Sequence, residues 1–185
     1  MDLRIIPEKV LLNGARRFNL KALAAIYDRY SPGLYRYAMR LLGDVQQAED
    51  CVSETFSRFL KALQSEQGPD DHLQAYLYRV AHNWITDQYR RQPAPPLDLD
   101  AIDRPDPDIS TEKMAGRNLE QEQVRNALRL LTPEQRQVIM LRYYDGWELD
   151  QVAESLNKEI GAVKTLQHRA VDALRRVLVP REDAA

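Results

Sequence analysis

Apolar residues recur at three- and four-residue spacing through most of the chain and never alternate at period two for long, so helices are predicted and strands are not. From Asn19, a side chain suited to capping, Leu20, Leu23, Ile26, Tyr27 and Tyr30 keep one helical face. Ser31-Pro32 predicts a stop and a restart, with serine as cap and proline at the first helical position. The restarted helix carries Leu34, Tyr35, Ala38, Leu41 and Leu42 to a stop at Gly43. Asp44 caps the next, whose inward stripe is Ala48, Val52, Thr55, Phe56, Phe59 and Leu63, with Asp50, Glu54, Ser57 and Lys61 opposite. The segment 64–72, QSEQGPDDH, is a predicted loop, and residues 1–18 are weakly patterned, a lead-in or short helix.

Residues 73–91, LQAYLYRVAHNWITDQYRR, carry two patterns on one predicted helix. Leu73, Leu77, Val80, Ala81 and Trp84 fall in one arc and predict the core side. Tyr76, Arg79, Asn83, Thr86 and Arg90 fall in another, spaced 3, 4, 3, 4. An aromatic, two cations, an amide and a hydroxyl in register form a set able to hold a phosphate backbone and to stack on or pair with exposed bases.

After Arg91 five prolines, 93, 95, 96, 105 and 107, alternate with Asp98, Asp100, Asp103, Asp106 and Asp108, which predicts an extended acidic linker. Helical spacing resumes with Val124, Ala127, Leu128 and Leu131. Thr132-Pro133-Glu134-Gln135 is a capping box with proline at the first helical position, opening a helix through Val138, Ile139, Leu141 and Arg142. Leu149, Val152, Ala153 and Leu156 follow, then a break at 157–159 and a long helix with Val163, Ala170, Leu174 and Val177 inward. Two helices across a short turn, the second longer and more basic, form a helix-turn-helix pattern. Outward on the second stand Gly161, Lys164, Thr165, His168, Arg169, Arg175 and Arg176 against one acid, Asp172, a face suited to a DNA groove.

Charge and composition narrow the picture. A net charge of −2 over 185 residues gives no global pull toward nucleic acid, so binding must come from those two local faces. A lone Cys51 excludes an internal disulfide, and three scattered histidines offer no metal-ligand spacing. No cofactor is expected. No nucleophile with a base, paired carboxylates or Gly-rich phosphate loop argues for an enzyme. Without a long apolar run or a leader pattern, the chain is expected to be cytoplasmic, with no membrane insertion.

Together the two halves resemble the extracytoplasmic-function (ECF) group of the sigma-70 family, over roughly residues 20–91 and 122–178. YDRYSPGLYRYAMRLLGDVQQAEDCVSETFSRFLKAL is similar to the family's polymerase-clamp-binding helices, LQAYLYRVAHNWITDQYRR to its −10 helix, and LTPEQRQVIMLRYYDGWELDQVAESLNKEIGAVKTLQHRAVDALRR to its −35 helix-turn-helix. The resemblance implies an all-α chain of two small helical domains: a lead-in at 1–18, a region 2-like domain at 19–91, the linker at 92–119, a region 4-like domain at 120–179 and a tail at 180–185. It implies core RNA polymerase as partner, through the clamp coiled coil of its largest subunit and its flap, together with promoter DNA, and it suggests an anti-sigma factor. Asp50, Ser53 and Glu54 would face the clamp. Tyr76, Arg79, Asn83, Thr86 and Arg90 would meet the unwound strand, and the 64–72 loop would grip a flipped base. Gly161, Lys164, Thr165, His168 and Arg169 would read the −35 duplex. Several positions depart from the usual family residues: Asn157 stands in the turn where glycine is frequent, and Glu148 and Glu159 where serines are. Asn157 is expected to adopt the left-handed conformation a glycine would. Leu166 stands where an arginine is frequent. A helix-turn-helix repressor would leave the 44–63 helix unexplained, and a decoy that never touches DNA would not be expected to keep Arg79, Arg90, Lys164 and Arg169.

Overall fold

A computed structural model of the chain describes residues 6–92 and 112–178. Four helices form a first bundle: α1 (Glu8–Arg16), α2 (Leu20–Leu42), α3 (Val45–Gln64) and α4 (Leu73–Arg91). Asn19 caps α2, its Oδ1 accepting from the amides of Lys21 (3.0 Å) and Ala22 (3.2 Å). Asp44 caps α3 through the Gln47 amide at 2.8 Å. Between them Gly43 turns the chain at φ 70°, a conformation most side chains resist.

The break expected at Ser31-Pro32 does not occur, and α2 runs straight through it. An interior proline costs about 3 kcal/mol. Leu34 and Tyr37 are wholly buried just beyond it, in one stripe with Tyr30, Ala38 and Leu41. Burying two side chains of that size returns about 3–6 kcal/mol, enough to carry the helix across. The weakly patterned start is also more than a lead-in. Helix α1 buries Leu11, Leu12 and Ala15, and Glu8 accepts from the Leu73 amide at 2.8 Å and the Tyr30 hydroxyl at 2.7 Å. His72, the residue before α4, is left-handed and offers no cap of its own, so a carboxylate 65 positions away supplies it.

The second bundle comprises α5 (Glu112–Leu130), α6 (Pro133–Ile139), a π-helical turn (Met140–Tyr144), α7 (Leu149–Leu156) and α8 (Ile160–Leu178). Helix α5 starts inside the stretch expected as linker, because the prolines end at Pro107 and good helix formers follow. The rest of the expected linker, 93–111, lies outside the described residues, as do 1–5 and the tail from 179 on. The predicted capping box is present: Thr132 Oγ1 accepts from the Gln135 amide at 3.3 Å and Gln135 Oε1 from the Thr132 amide at 3.2 Å. Asn157 takes φ 53° and ψ 50°, as expected of the glycine it replaces, and lets the Lys158 amide close α7 on the Ala153 carbonyl at 3.0 Å.

The two bundles share one continuous hydrophobic core, with α4 packed on α7 and α6, and α2 on α5. Nothing in the spacing of apolar residues predicts this contact, because its main components are aromatic and polar. Tyr78 lies 4.9 Å from Trp147, ring to ring. Tyr89 is held between the guanidiniums of Arg129 (4.6 Å) and Arg136 (4.5 Å), its hydroxyl donating to the Leu41 carbonyl at 2.6 Å. Arg40 pairs with Asp145 at 3.1 Å and covers the ring of Tyr144.

Candidate nucleic-acid interface

Helix α4 has two covered sides and one open strip. Leu73, Leu77 and Ala81 face the first core as expected, whereas Val80 and Trp84 are only half-buried. Ala75, Tyr78, His82, Ile85 and Thr86 are buried as well. Ala75, Tyr78 and His82, spaced at 3 and 4, turn toward the second bundle, where their contacts lie. His82 shows how specific the contact is. Its Nε2 lies 2.8 Å from the Pro133 carbonyl, which can only accept, so Nε2 carries the proton and Nδ1 accepts from the Tyr37 hydroxyl at 2.6 Å. Burial, aided by the nearby Arg136 charge, pushes the imidazole down to about 3, so it is neutral at ordinary pH.

Of the five residues expected to meet a single strand, Asn83 and Arg90 are exposed and Arg79 half-exposed. Tyr76 is half-buried, its ring 6.1 Å from Phe59 and beneath the Arg79 guanidinium at 5.8 Å, which holds the aromatic face in place beside a cation. Arg90 pairs loosely with Asp87 at 3.5 Å. Thr86 differs from the other four: it is 8% exposed, and its hydroxyl has no hydrogen-bond partner among the described residues. At the N-terminal end of this strip, the 67–72 loop, Ala75, Tyr76 and Arg79 line a cleft of about 330 Å³, together with Glu154 and Asn157 of the second bundle.

The outer face of α8 is simpler. Gly161, Lys164, Thr165, His168 and Arg169 are all exposed, while Val163 and Ala170 anchor the helix inward. A Cβ at Gly161 would meet nothing within 4 Å, so the fold itself does not demand glycine there. His168 faces Asp172 at 3.4 Å, and Thr165 donates back to the Gly161 carbonyl at 3.1 Å. Leu166 is half-buried against the core, so packing accounts for an apolar residue at that place.

On α3, Asp50 and Ser53 are exposed and Glu54 is partly so. The Arg58 guanidinium, 2.8 Å away, lowers the Glu54 carboxyl and keeps it charged. Beside them opens a cleft of about 530 Å³ lined by Tyr27, Tyr35, Val52 and Ser53. Tyr27 keeps one helical face with Ile26 and Tyr30, yet it is half-exposed, its ring tilted against that of Phe56 at 4.8 Å.

The pattern of Sigma-70 region 2 matches residues 26–93, which include α4, and that of Sigma-70 region 4 matches 127–176, which include α7 and most of α8. The ECF RNA polymerase sigma factor SigL of Mycobacterium tuberculosis is 35% identical over 170 residues, spanning 90% of this chain and 94% of SigL. The chain belongs to the ECF RNA polymerase sigma factors. The sigma factor SigW of Bacillus subtilis is 30% identical over 167 residues, covering 85% and 89% of the two chains. Among solved structures, CnrH in complex with the cytosolic domain of CnrY shares the fold at a TM-score of 0.68 and 24% identity, over 92% of this chain and 96% of that one. As a sigma factor the protein directs RNA polymerase to promoters, with core polymerase and promoter DNA as its partners. No described helix is long and apolar enough to cross a membrane.

Proposed function

We propose a division of labour along the sigma factor in which residues 19–91 bind the polymerase clamp and open the −10 element, and residues 120–179 read the −35 duplex. The exposed α8 face carries the second half of this reading. Its cations and hydroxyl project from one side of a helix whose other side is anchored in a core, the geometry needed to enter a major groove. On α4, Arg79, Asn83 and Arg90 hold the unwound strand and Tyr76 offers a ring for stacking, with the adjoining cleft as base pocket. Asp50, Ser53 and Glu54 meet the clamp coiled coil, and the Tyr27 cleft beside them takes an apolar side chain of that partner.

Opening about ten base-pair steps costs roughly 14 kcal/mol at about 1.4 per step. Each base captured on an aromatic returns only about 1–3 kcal/mol, and the open strip of α4 offers one aromatic, Tyr76. The sigma factor therefore acts as a polymerase subunit, by binding and without a catalytic step of its own, in the cytoplasm where its template lies. An anti-sigma factor is a further proposed partner, on the resemblance to the family. The test is in vitro transcription with core polymerase and fragmented genomic DNA. Asn83→Ala should block promoter opening while sparing core binding, and Glu54→Lys should do the reverse. If both variants fail at the same step, the two surfaces are not separate as read.

A further inference from the structure

Residues 65–72 join α3 to α4, and none of them is buried. Apolar packing therefore does not fix the course of this loop, and hydrogen bonds must. At its start the chain is still tied to α3, where the Gln67 amide donates to the Ala62 carbonyl at 2.9 Å and the Glu66 amide to that of Leu63 at 3.2 Å. At its end the Leu73 amide is held by Glu8 of α1. Between these ends stand Pro69 and Asp70, and one atom grips both: Nη2 of Arg16 donates to the Pro69 carbonyl at 2.7 Å and pairs with the Asp70 carboxylate. The middle and the end of the loop are thus both moored by α1, a helix that precedes the residues matching Sigma-70 region 2.

Helix α1 is itself well held. Leu11, Leu12 and Ala15 are buried beside Arg16, and a Cβ at Gly14 would lie 2.6 Å from that of Ala22, so α1 and α2 cross in close contact. Glu8 is fixed in turn by the Tyr30 hydroxyl of α2 at 2.7 Å. Arg16 therefore reaches from a rigid backbone to a loop with no buried anchor of its own. Its charge acts as well as its reach. Asp70 and Asp71 line the cleft that also contains Tyr76 and Arg79, and Arg16 offsets the first of these acids where a phosphate-bearing strand would have to enter. The Asp70 side chain is 92% exposed, so the ion pair adds little to folding stability. What the contact fixes is the shape of the loop.

We propose that Arg16 is a positioning residue for −10 recognition: acting from α1 through Pro69 and Asp70, it holds the 67–72 loop in the form that receives an unstacked base. This rests on the reading of the cleft beside Tyr76 and Arg79 as the base pocket. Arg16 acts through the loop and not by touching DNA.

The test measures base discrimination. Holoenzyme is assembled from core polymerase and the full chain, and its affinity is compared for forked −10 templates that differ by one base of the non-template strand, taken from a promoter recovered by the in vitro transcription above. Arg16→Met removes both contacts and keeps the apolar stem. It is expected to cut the preference for the correct base by about fivefold, with core affinity unchanged. Arg16→Lys should keep most of that preference, because one ammonium can make both contacts that a single guanidinium nitrogen makes here. In an Asp70→Ala background Arg16→Met should have a smaller effect than it has alone. A direct phosphate contact would behave otherwise: affinity would fall alike for every base, the salt slope would shrink by about 1, and the two substitutions would add. That result overturns the proposal, as does an unchanged base preference.

Gln67→Ala/Asp71→Ala, in the cleft wall, separates the two readings. If neither this variant nor Arg16→Met alters base preference, the base-pocket reading falls and the proposal with it. A change with Gln67→Ala/Asp71→Ala alone keeps the pocket and overturns the role of Arg16. Should Arg16→Met fail to fold, Asp70→Ala decides by itself at an exposed side chain: base preference should fall by about twofold, and no fall overturns the proposal.

Discussion

Helices α4 and α8 are both 19 residues long and both carry a polar stripe fit for nucleic acid, yet the chain treats them differently. Helix α8 fully buries only Val163 and Ala170 and leaves its basic face open. Helix α4 buries eight residues on two sides, and Thr86 of its polar stripe goes with them. A surface of cations and hydroxyls can remain exposed because water and counterions satisfy it. An aromatic-bearing surface is adhesive by composition, and here a neighbouring bundle occupies its flank.

This contrast can be broken most sharply at Trp147. Truncating it to alanine should cost about 3–5 kcal/mol in urea unfolding, since it is nearly buried against Tyr78, while Lys164→Ala on α8 should stay within about 0.5 kcal/mol. Equal effects would mean that α4 is no more engaged than α8. Next comes acid. His82 is held neutral in the folded chain down to about pH 3, so when unfolding releases it to ordinary imidazole behaviour it takes up a proton below about 6.5. Its share of stability is complete above that value and drains away as pH falls toward 3, at about 1.4 kcal/mol per unit. Between pH 7 and 5 the loss should be about 2 kcal/mol. Urea titrations across that range should show a slope that His82→Gln largely removes; an unchanged slope would assign the acid sensitivity elsewhere.

A smaller effect sharpens the comparison at the helix ends. Glu8→Ala should lower stability by about 1–2 kcal/mol by uncapping α4, and no first-bundle residue should have a like effect on α8. Smallest in stability, but not in function, is Arg169→Ala. Unfolding should be unaltered, while promoter affinity falls and the slope of log affinity against log salt shrinks by about 1, as one phosphate contact is lost. A salt slope that does not move would take Arg169 off the DNA.

How much of this could be read beforehand differs residue by residue. The caps at Asn19, Asp44 and Thr132, the left-handed Asn157 and the whole outer face of α8 were legible, because each depends on neighbours within four positions. Pro32 was misread because local chemistry favours a break there and only the burial of Leu34 and Tyr37 overrides it. Spacing alone also puts Leu20 and Tyr27 on one face with Ile26 and Tyr30, but only Ile26 and Tyr30 are buried, because burial depends on which helices pack against that face. The inward role of His82 gave no signal, since its hydrogen-bond partners lie 45 and 51 positions away.

By itself the sequence determined that the chain is helical, that it carries a polar strip on residues 73–91 and a basic face on residues 160–178, and that it resembles a sigma factor. Periodicity, capping and charge act over one or two turns and are written in adjacent residues. Tertiary structure alone decided which side of α4 is free. That outcome depends on a carboxylate from α1 at one end and a tryptophan, a carbonyl and two arginines from the second bundle along the flank. Contacts between distant segments are set by the simultaneous packing of every helix, which no local pattern encodes.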